Sequence, residues 1–452
     1  MRVAVVGGGI SGLTAAHRLV ADGHDAILID EAPQPGGLIA SARIDGFLCE
    51  RGPQAVLDGA EEVRALVAGA GLAERAIRAL PASRRRFVYV GGKLRPFPAS
   101  PPALIKTDLL SAAGKLRLLC EPFVKRRAAD APDESVFAFI ARRFGTEAAE
   151  RAAGPALIGV YAADAAAISV GAAFPRLAAL EREHGSVLRG LLRSRGGARM
   201  GRPLSFPDGL GELPRALAAA LGSRWLTGRA AALEPRAQSG AGWRVLLEGG
   251  APPVDADRVV LATPAAAGAG LLAPHAPAAA AALRAIPHAP VAVVCLGFHA
   301  TDAARMGMDL DAYGFVAARG EGVRLLGCQY ESSVFPGRAP AGAVLLRALL
   351  GGTFDPALVD ADDATLAAQA VADLRRTAGL RREPDLVQVW RARPGIPQVD
   401  AGQTARLRAI DGDLGRLPGL TLIGQAVRGV GVSACIQAAT AAARQVGALR
   451  TT

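Results

Sequence analysis

The chain predicts an α/β protein: a discontinuous Rossmann-like domain, a second domain that contains a sheet, and a helical insert. Three observations carry this reading. A glycine-rich turn joins an apolar run to an amphipathic helix pattern near the start, in VAVVGGGISGLTAAHRL. A second strand pattern ending in an acid, DAILID, follows at once. Strand, glycine-rich loop and helix then return near the other end, in LIGQAVRGVGVSACIQAA.

The first element, RVAVVG, is an apolar, branched run of strand length. Ile10 to Ala21 carries apolar residues at helical spacing, at Ile10, Leu13, Ala16, Leu19 and Val20. Between them stands Gly7-x-Gly9-x-x-Gly12. Gly7 permits the tight turn, Gly9 lets backbone approach a pyrophosphate, and Gly12 lets helix pack close to strand. The helix start at Ile10 and Ser11 turns free N–H groups toward that anion. DAILID ends at Asp30, about 20 residues after the turn, where an acid binds the ribose hydroxyls of a dinucleotide. Glu31 follows it.

Two further stretches favour FAD over NAD. PQPGGLIAS brings Gly37, and FLCERGPQ brings Glu50, Gly52 and Pro53. The terminal segment then leads through Gly424, Gly429 and Gly431 into a helix starting near Ser433, a second helix N-terminus suited to a flavin carbonyl or ribityl chain.

From Phe87 the character changes. VYVGGKLRPFP reads as two short strands around Gly91–Gly92. Leu104 to about Arg195 reads as mostly helical, with a cap near Asp133–Ser135. Strand patterns return at WRVLLEG, RVVLATP, PVAVVCLGF, VRLLGCQY and AVLLRALLGG, and Asp363 to Thr377 reads as a helix. The expected division is an FAD-binding domain over 1–60, 205–275 and 395–452. A substrate-binding domain takes 61–95 and 276–394, and a helical domain 96–204.

With 452 residues, 51% of them hydrophobic, the chain can build two or three cored domains. A net charge of +11 raises nucleic acid or an anionic membrane as partners. The basic residues fall in short patches, at Ser83–Phe87, Val124–Asp130 and Leu188–Arg202. Aromatics at 4% leave few platforms for stacking bases, which argues against nucleic acid. Five scattered cysteines without a CxxC pair suit a reducing compartment, and the six histidines show no metal-ligand spacing. No charged leader and no apolar run of about 18–20 residues stand out, so a cytoplasmic protein is expected, at most docked on a membrane face.

These segments resemble the flavin amine oxidase superfamily over nearly the whole chain. VVGGGISGL, PGGLIAS and GFLCERGP match its FAD segments. RRFVYVGGKLRPFP, DESVFAFIARRFG, GVYAADAAAISVGAAFPRLAALEREHGSVLRGLL, SFPDGLGELPRAL and RARPGIPQVDAGQ are similar to its oxygen-dependent porphyrinogen-oxidising branch. The resemblance implies an amine oxidase/PHBH-like fold, bound FAD, and removal of six electrons from a reduced tetrapyrrole in three rounds, with dioxygen reduced to peroxide. Protoporphyrinogen IX is the expected substrate ahead of coproporphyrinogen III, in heme biosynthesis. No metal and no indispensable side-chain base are expected.

Residue by residue, Arg86 matches the arginine that faces a substrate propionate, which a guanidinium pairs bidentately. The alternative is a solvated run with Arg84 and Arg85. Ala156 and Gly159 match one wall of the substrate slot, and Tyr313, Val316 and Leu349 the other; each is also readable as core. Ala230 matches backbone beside adenine, Thr263 a strand end near the cofactor, and Gly424, Val430 and Val432 the terminal flavin segment. The segment PPALIKTDLLSAAGKLRLLCEPFVKRR, with apolar and basic residues interleaved, is implied to dock on a membrane surface; a packed helix pair is the alternative. A homodimer and handover of product to a chelatase are compatible with the resemblance.

The chain departs from the family pattern at Gln34, Val399, Gln403 and Ala434. Gln403 and Ala434 keep open a non-catalytic flavoprotein. An amine oxidase or carotenoid desaturase is a further alternative, although few aromatics argue against an amine cage.

Overall fold

The computed structural model describes residues 1–98, 103, 106–128, 131–193, 201–236, 242–299 and 303–448. The first sheet has five parallel strands in the order Trp225–Thr227, Asp25–Asp30, Arg2–Val6, Arg258–Leu261 and Leu420–Leu422. Its central strand is buried on both faces, which is why RVAVV is apolar without alternation. Val3, Val5 and Leu28 face the helices Ile10–Ala21 and Val432–Ala448, packing with Leu13, Ala16, Ile436 and Ala439. Ala4, Val6 and Ile29 face the other way. They meet a three-stranded antiparallel sheet of Ala230–Pro235, Trp243–Leu247 and Val254–Ala256, together with the helix Ala265–Leu272. Segments far apart in sequence thus close one nucleotide-type fold.

The second large sheet has seven strands. Their order is Leu386–Pro397, His288–Phe298, Val344–Gly351, Leu325–Gln329, Gly314–Ala317, Arg86–Val90 and Lys93–Pro96. One face is covered by the helix Asp363–Ala378 through Leu366, Ala370 and Leu374. The opposite face presents Val291, Leu326 and Leu349 to Ile158 and Ala162, at the end of the helix Gly154–Tyr161.

That helix belongs to the insert, whose described elements include Ala112–Leu119, Val136–Phe144, Pro175–His184 and Val187–Arg193. Ser135 caps Val136–Phe144 by accepting from Ala138 N–H, so the start expected near Asp133–Ser135 falls on the serine. Arg143 is fully buried and paired with Glu121, which also accepts from Ser186 Oγ at 2.5 Å. Leu104 and residues 194–200 of the third basic patch lie outside the described residues.

Several elements differ from the sequence reading. Trp225–Thr227 adds an edge strand to the parallel sheet, and three residues are too few to show a period. Pro203–Ser205 pairs with Val56–Leu57 and Ile77–Arg78, so residues on both sides of the insert meet in one small sheet. RARPGIP, to which the sequence reading gave no element, is strand: Leu386–Pro397 runs along His288–Phe298 and crosses the expected domain limit at 394/395. The glycine-rich terminal loop holds a short helix, Gln425–Arg428.

Candidate active site

Gly7 leaves the first strand with φ 115°. A β-carbon there would lie 2.6 Å from Ala262 O, and one on Gly12 would lie 1.8 Å from Gly7 O. Both glycines therefore serve close backbone packing. Gly9 is different: a β-carbon there would meet nothing within 4 Å. Its bare side faces a cradle bounded by Gly36 and Gly37. The helix Ile10–Ala21 begins at Ile10 and Ser11 with no acid in its first turn and no side-chain cap. Its free N–H groups and dipole are thus left to an anion by the helix's own first turn.

Asp30 is latched into the turn. Its Oδ2 accepts from Gly8 N–H at 2.5 Å and its Oδ1 from Ala32 N–H at 2.8 Å. Asp30, Glu31, Gly7, Ala230 and Thr263 line one cavity of about 260 Å³. Gly37, Thr263 and Gly424 line a second, of about 200 Å³. Thr263 belongs to both, and its Oγ1 is buried without a hydrogen-bond partner. A trough runs from Asp30 past Thr263 to Gly424, with a glycine cradle beside it and an unsatisfied hydroxyl within. These features fit a long, polar, dinucleotide-shaped group.

The other expected cofactor residues are distributed around it. Gly52 packs so closely on Leu38, which lines the second cavity, that a β-carbon would lie 1.9 Å from Leu38 O; Pro53 follows. Val430 lines a separate cavity with Tyr161, Val399 and Gln403. Gln403 donates there to Ala426 O at 3.0 Å, holding the terminal loop. Val432 begins the last helix and packs into the core beside the parallel sheet. Gln34 lines a surface cavity with Arg51 and Arg215, two cations close to the glycine loop.

A third space, of about 410 Å³, lies between the helix Gly154–Tyr161 and the seven-stranded sheet. Arg86, Ala156, Gly159, Tyr313, Val316 and Leu349 all line it, so the structure brings the six together. Gly159 allows close approach, since a β-carbon there would lie 3.4 Å from Val316 Cγ1. Phe97, Pro155, Ile158 and Leu326 complete the apolar walls, and sequence reasoning missed them. Gly395 lines the 200 Å³ cavity and its neighbour Ile396 lines this one, so the two spaces adjoin at one strand.

Arg86 is the one cation among the described residues that line the apolar space. Its guanidinium lies 4.9 Å from the Tyr313 ring centroid. Arg85, next to it, is engaged elsewhere, with Asp309 at 2.9 Å and Asp311 at 2.7 Å. Burial pushes the Tyr313 hydroxyl up, against the pull of the Arg86 charge. Burial also pushes the Cys328 thiol up. Neither group takes up a proton from substrate at neutral pH. Behind Tyr313 lie Gln54, Gln329, Glu331 and Arg347, which no motif flagged. The available signal was a charged residue inside an apolar strand run, AVLLRALLGG. Among the described residues no group of three or more His, Cys, Asp or Glu is placed to hold a metal.

A glycine-cradled trough on a Rossmann-like sheet, opening at one strand onto an apolar slot, defines a flavin-type oxidoreductase. The family model for flavin-containing amine oxidoreductase matches residues 10–447. The chain is 33% identical to the chloroplastic protoporphyrinogen oxidase of Oryza sativa, covering 98% of this chain and 87% of that one. It is 27% identical to the coproporphyrinogen III oxidase of Bacillus subtilis, over 97% and 96%. A solved structure from Exiguobacterium sp. 255-15 aligns with a TM-score of 0.81 at 25% identity, over 99% and 98%. The chain belongs to the flavin-containing amine oxidoreductase family, and its cofactor is FAD.

Proposed function

We propose that the chain oxidises protoporphyrinogen IX to protoporphyrin IX with dioxygen as final acceptor. The observation that carries this is the apolar slot with a single arginine at one end, meeting the FAD trough at Gly395–Ile396. Bound FAD supplies two-electron dehydrogenation, repeated three times for six electrons. Gly9, Ile10 and Ser11 hold its diphosphate in the turn that Gly7 and Gly12 close by tight packing, Asp30 holds its ribose, and Ala230 and Thr263 flank its adenosine side. Gly37, Gly52, Pro53, Gly424, Val430 and Val432 shape the flavin end.

The protein's remaining tasks are orientation and exclusion of water. Ala156, Gly159, Val316 and Leu349 line the slot that takes the flexible, reduced macrocycle. Arg86 pairs a propionate at one edge. One cation in an otherwise apolar lining favours a substrate whose carboxylates sit together, as in protoporphyrinogen. Coproporphyrinogen carries carboxylates on all four rings and would bury some unpaired, at a cost of several kcal/mol each. The Bacillus subtilis relative keeps coproporphyrinogen III as the second reading. The test is anaerobic titration of the flavin with each porphyrinogen. Bleaching by protoporphyrinogen at the higher kcat/KM supports the reading, and bleaching by coproporphyrinogen alone replaces it.

The reading extends to docking on a membrane surface. Leu116, Leu119 and Phe123 are 64%, 60% and 83% exposed, beside Lys115, Lys125 and Arg126. Exposed apolar side chains with basic neighbours suit an anionic interface. Among the described residues no helix is long and apolar enough to cross a membrane.

A further inference from the structure

The register of the seven-stranded sheet places Arg86 beside Gly314, Gly314 beside Gln329, and Gln329 beside Arg347. This row crosses four strands, from the cation at the slot to a second cation that is 5% exposed. Gly314 leaves the row bare, since a β-carbon there would lie 2.0 Å from Cys328 O.

Around the buried end the polar groups close into a ring. Arg347 Nη1 donates to Gln329 Oε1 at 2.5 Å and lies 3.6 Å from Glu331 Oε1. Gln329 Nε2 donates to the Tyr313 hydroxyl at 3.3 Å. The Gln54 amide bridges Tyr313 and Glu331. With its nitrogen turned to the carboxylate, it donates to Glu331 Oε2 at 2.6 Å and Oε1 at 2.9 Å, and its oxygen accepts from Tyr313 at 2.7 Å. Arg347 Nη2 reaches out of the ring to donate to Gly52 O. Gly52 in turn rests on Leu38, in the wall of the flavin-side cavity.

We propose that Arg347, braced by Glu331, is a positioning residue that locks the Gly52–Gln54 loop to the slot wall at Gln329 and Tyr313. The proposal rests on the FAD and porphyrinogen reading of the two cavities. Stability alone gives no reason for the ring, because a buried ion pair is often no more stable than an apolar pair of similar volume. What the ring provides is geometry. It ties a loop of the FAD side to the residue on which Arg86 lies, so the spacing between cofactor and substrate is set by five side chains.

The experiment compares the holoenzyme with Arg347→Met/Glu331→Leu, which removes both charges at once, and with Arg347→Lys. Two readouts are taken. The first is the visible spectrum and dissociation rate of FAD with no substrate present. The second is anaerobic stopped-flow reduction by protoporphyrinogen, which separates limiting rate from apparent affinity. The double variant is expected to bind FAD with an altered spectrum and faster release. Its limiting rate is expected to fall about 100-fold, as a displacement near 1 Å produces, with affinity little changed. Arg347→Lys is expected to restore part of the rate. An unchanged limiting rate overturns the proposal even if FAD release is faster, since the ring would then only retain cofactor. If the wild-type flavin is not reduced by any porphyrinogen, the substrate reading fails, and unchanged spectrum and release in the variant still reject the lock. If the double variant does not fold, Gln329→Met opens the ring with both charges left paired and is judged by the same outcomes.

Discussion

The Arg86 guanidinium lies over the Tyr313 ring, 4.9 Å from its centroid, at the polar end of the apolar slot. The ring holds the cation in place without consuming its hydrogen-bond donors, and among the described residues no acceptor takes the parallel N–H groups that would face a carboxylate. Replacing Arg86 by Ala removes charged hydrogen bonds worth about 1.5–3 kcal/mol, roughly tenfold to a hundredfold in KM. FAD content should be unchanged in the purified Arg86→Ala protein. Loss of flavin there would place Arg86 in the cofactor site instead.

The glycines of the first turn predict two different failures. Gly9→Leu should give a folded protein without FAD, because a β-carbon there meets no protein atom within 4 Å and the rest of the side chain would extend into the cradle. Gly12→Ala should fail to fold or lose several degrees in Tm, because its β-carbon strikes Gly7 O at 1.8 Å. The ratio of flavin absorbance to protein, set against the thermal midpoint, separates the two.

Asp30→Ala should also yield protein depleted in FAD. Its carboxylate holds Gly8 N–H and Ala32 N–H, so the substitution removes an acceptor and unlatches the turn together. Adding excess FAD should restore the visible spectrum in part. Full occupancy at the wild-type affinity would contradict the assignment.

Glu50 makes stability depend on pH. Burial pushes its carboxyl up to about 7, against the pull of Arg338 at 3.3 Å and of the donors Ser41 Oγ and Leu210 N–H. The unfolded chain titrates Glu near 4.3, so between about 4.3 and 7 the native state holds more protons than the unfolded one. Stability therefore falls as pH rises through that window, by about 4 kcal/mol, and this contribution is flat above it. Glu50→Gln, which mimics the protonated acid, should flatten the slope and leave the midpoint close to wild type at the acidic end, where Glu50 is itself neutral. Thermal melts from pH 4.5 to 8 measure both.

Docking through the insert predicts that Phe123→Glu weakens sedimentation with anionic vesicles about tenfold or more, since a buried Phe contributes about 1.5–3 kcal/mol. Catalysis on substrate in detergent should be unaffected. Equal binding of both proteins to vesicles would reject the surface.

The glycine turn and its flanking strands were legible because their determinants are local: a period, a turn and an acid within one short segment. The six slot residues were legible only by resemblance, because they come from four separate segments that meet in space. Other features are set by distant partners and leave no local trace. Arg85 and Arg86 look alike in SRRRF, and what divides them is Asp309 and Asp311, far along the chain. The three-residue strand Trp225–Thr227 exists because the edge at Asp25–Asp30 was open to it. The ring at Arg347 needs Gln54, Tyr313, Gln329 and Glu331 together, and no one of them is unusual alone.

The parallel sheet has a consequence for how the molecule is made. Arg2–Val6 leaves the ribosome long before its neighbour Arg258–Leu261, which is hundreds of residues away, and the edge strand Leu420–Leu422 follows later still. Contacts of such long separation form slowly, and an unpaired apolar strand is prone to aggregate while it waits. The cofactor trough, which needs both Gly9 and Gly424, cannot exist on a nascent chain that lacks its last segment. FAD capture should thus follow synthesis of the Gly424 segment, and availability of the vitamin-derived cofactor during biogenesis should govern how much folded protein a cell accumulates.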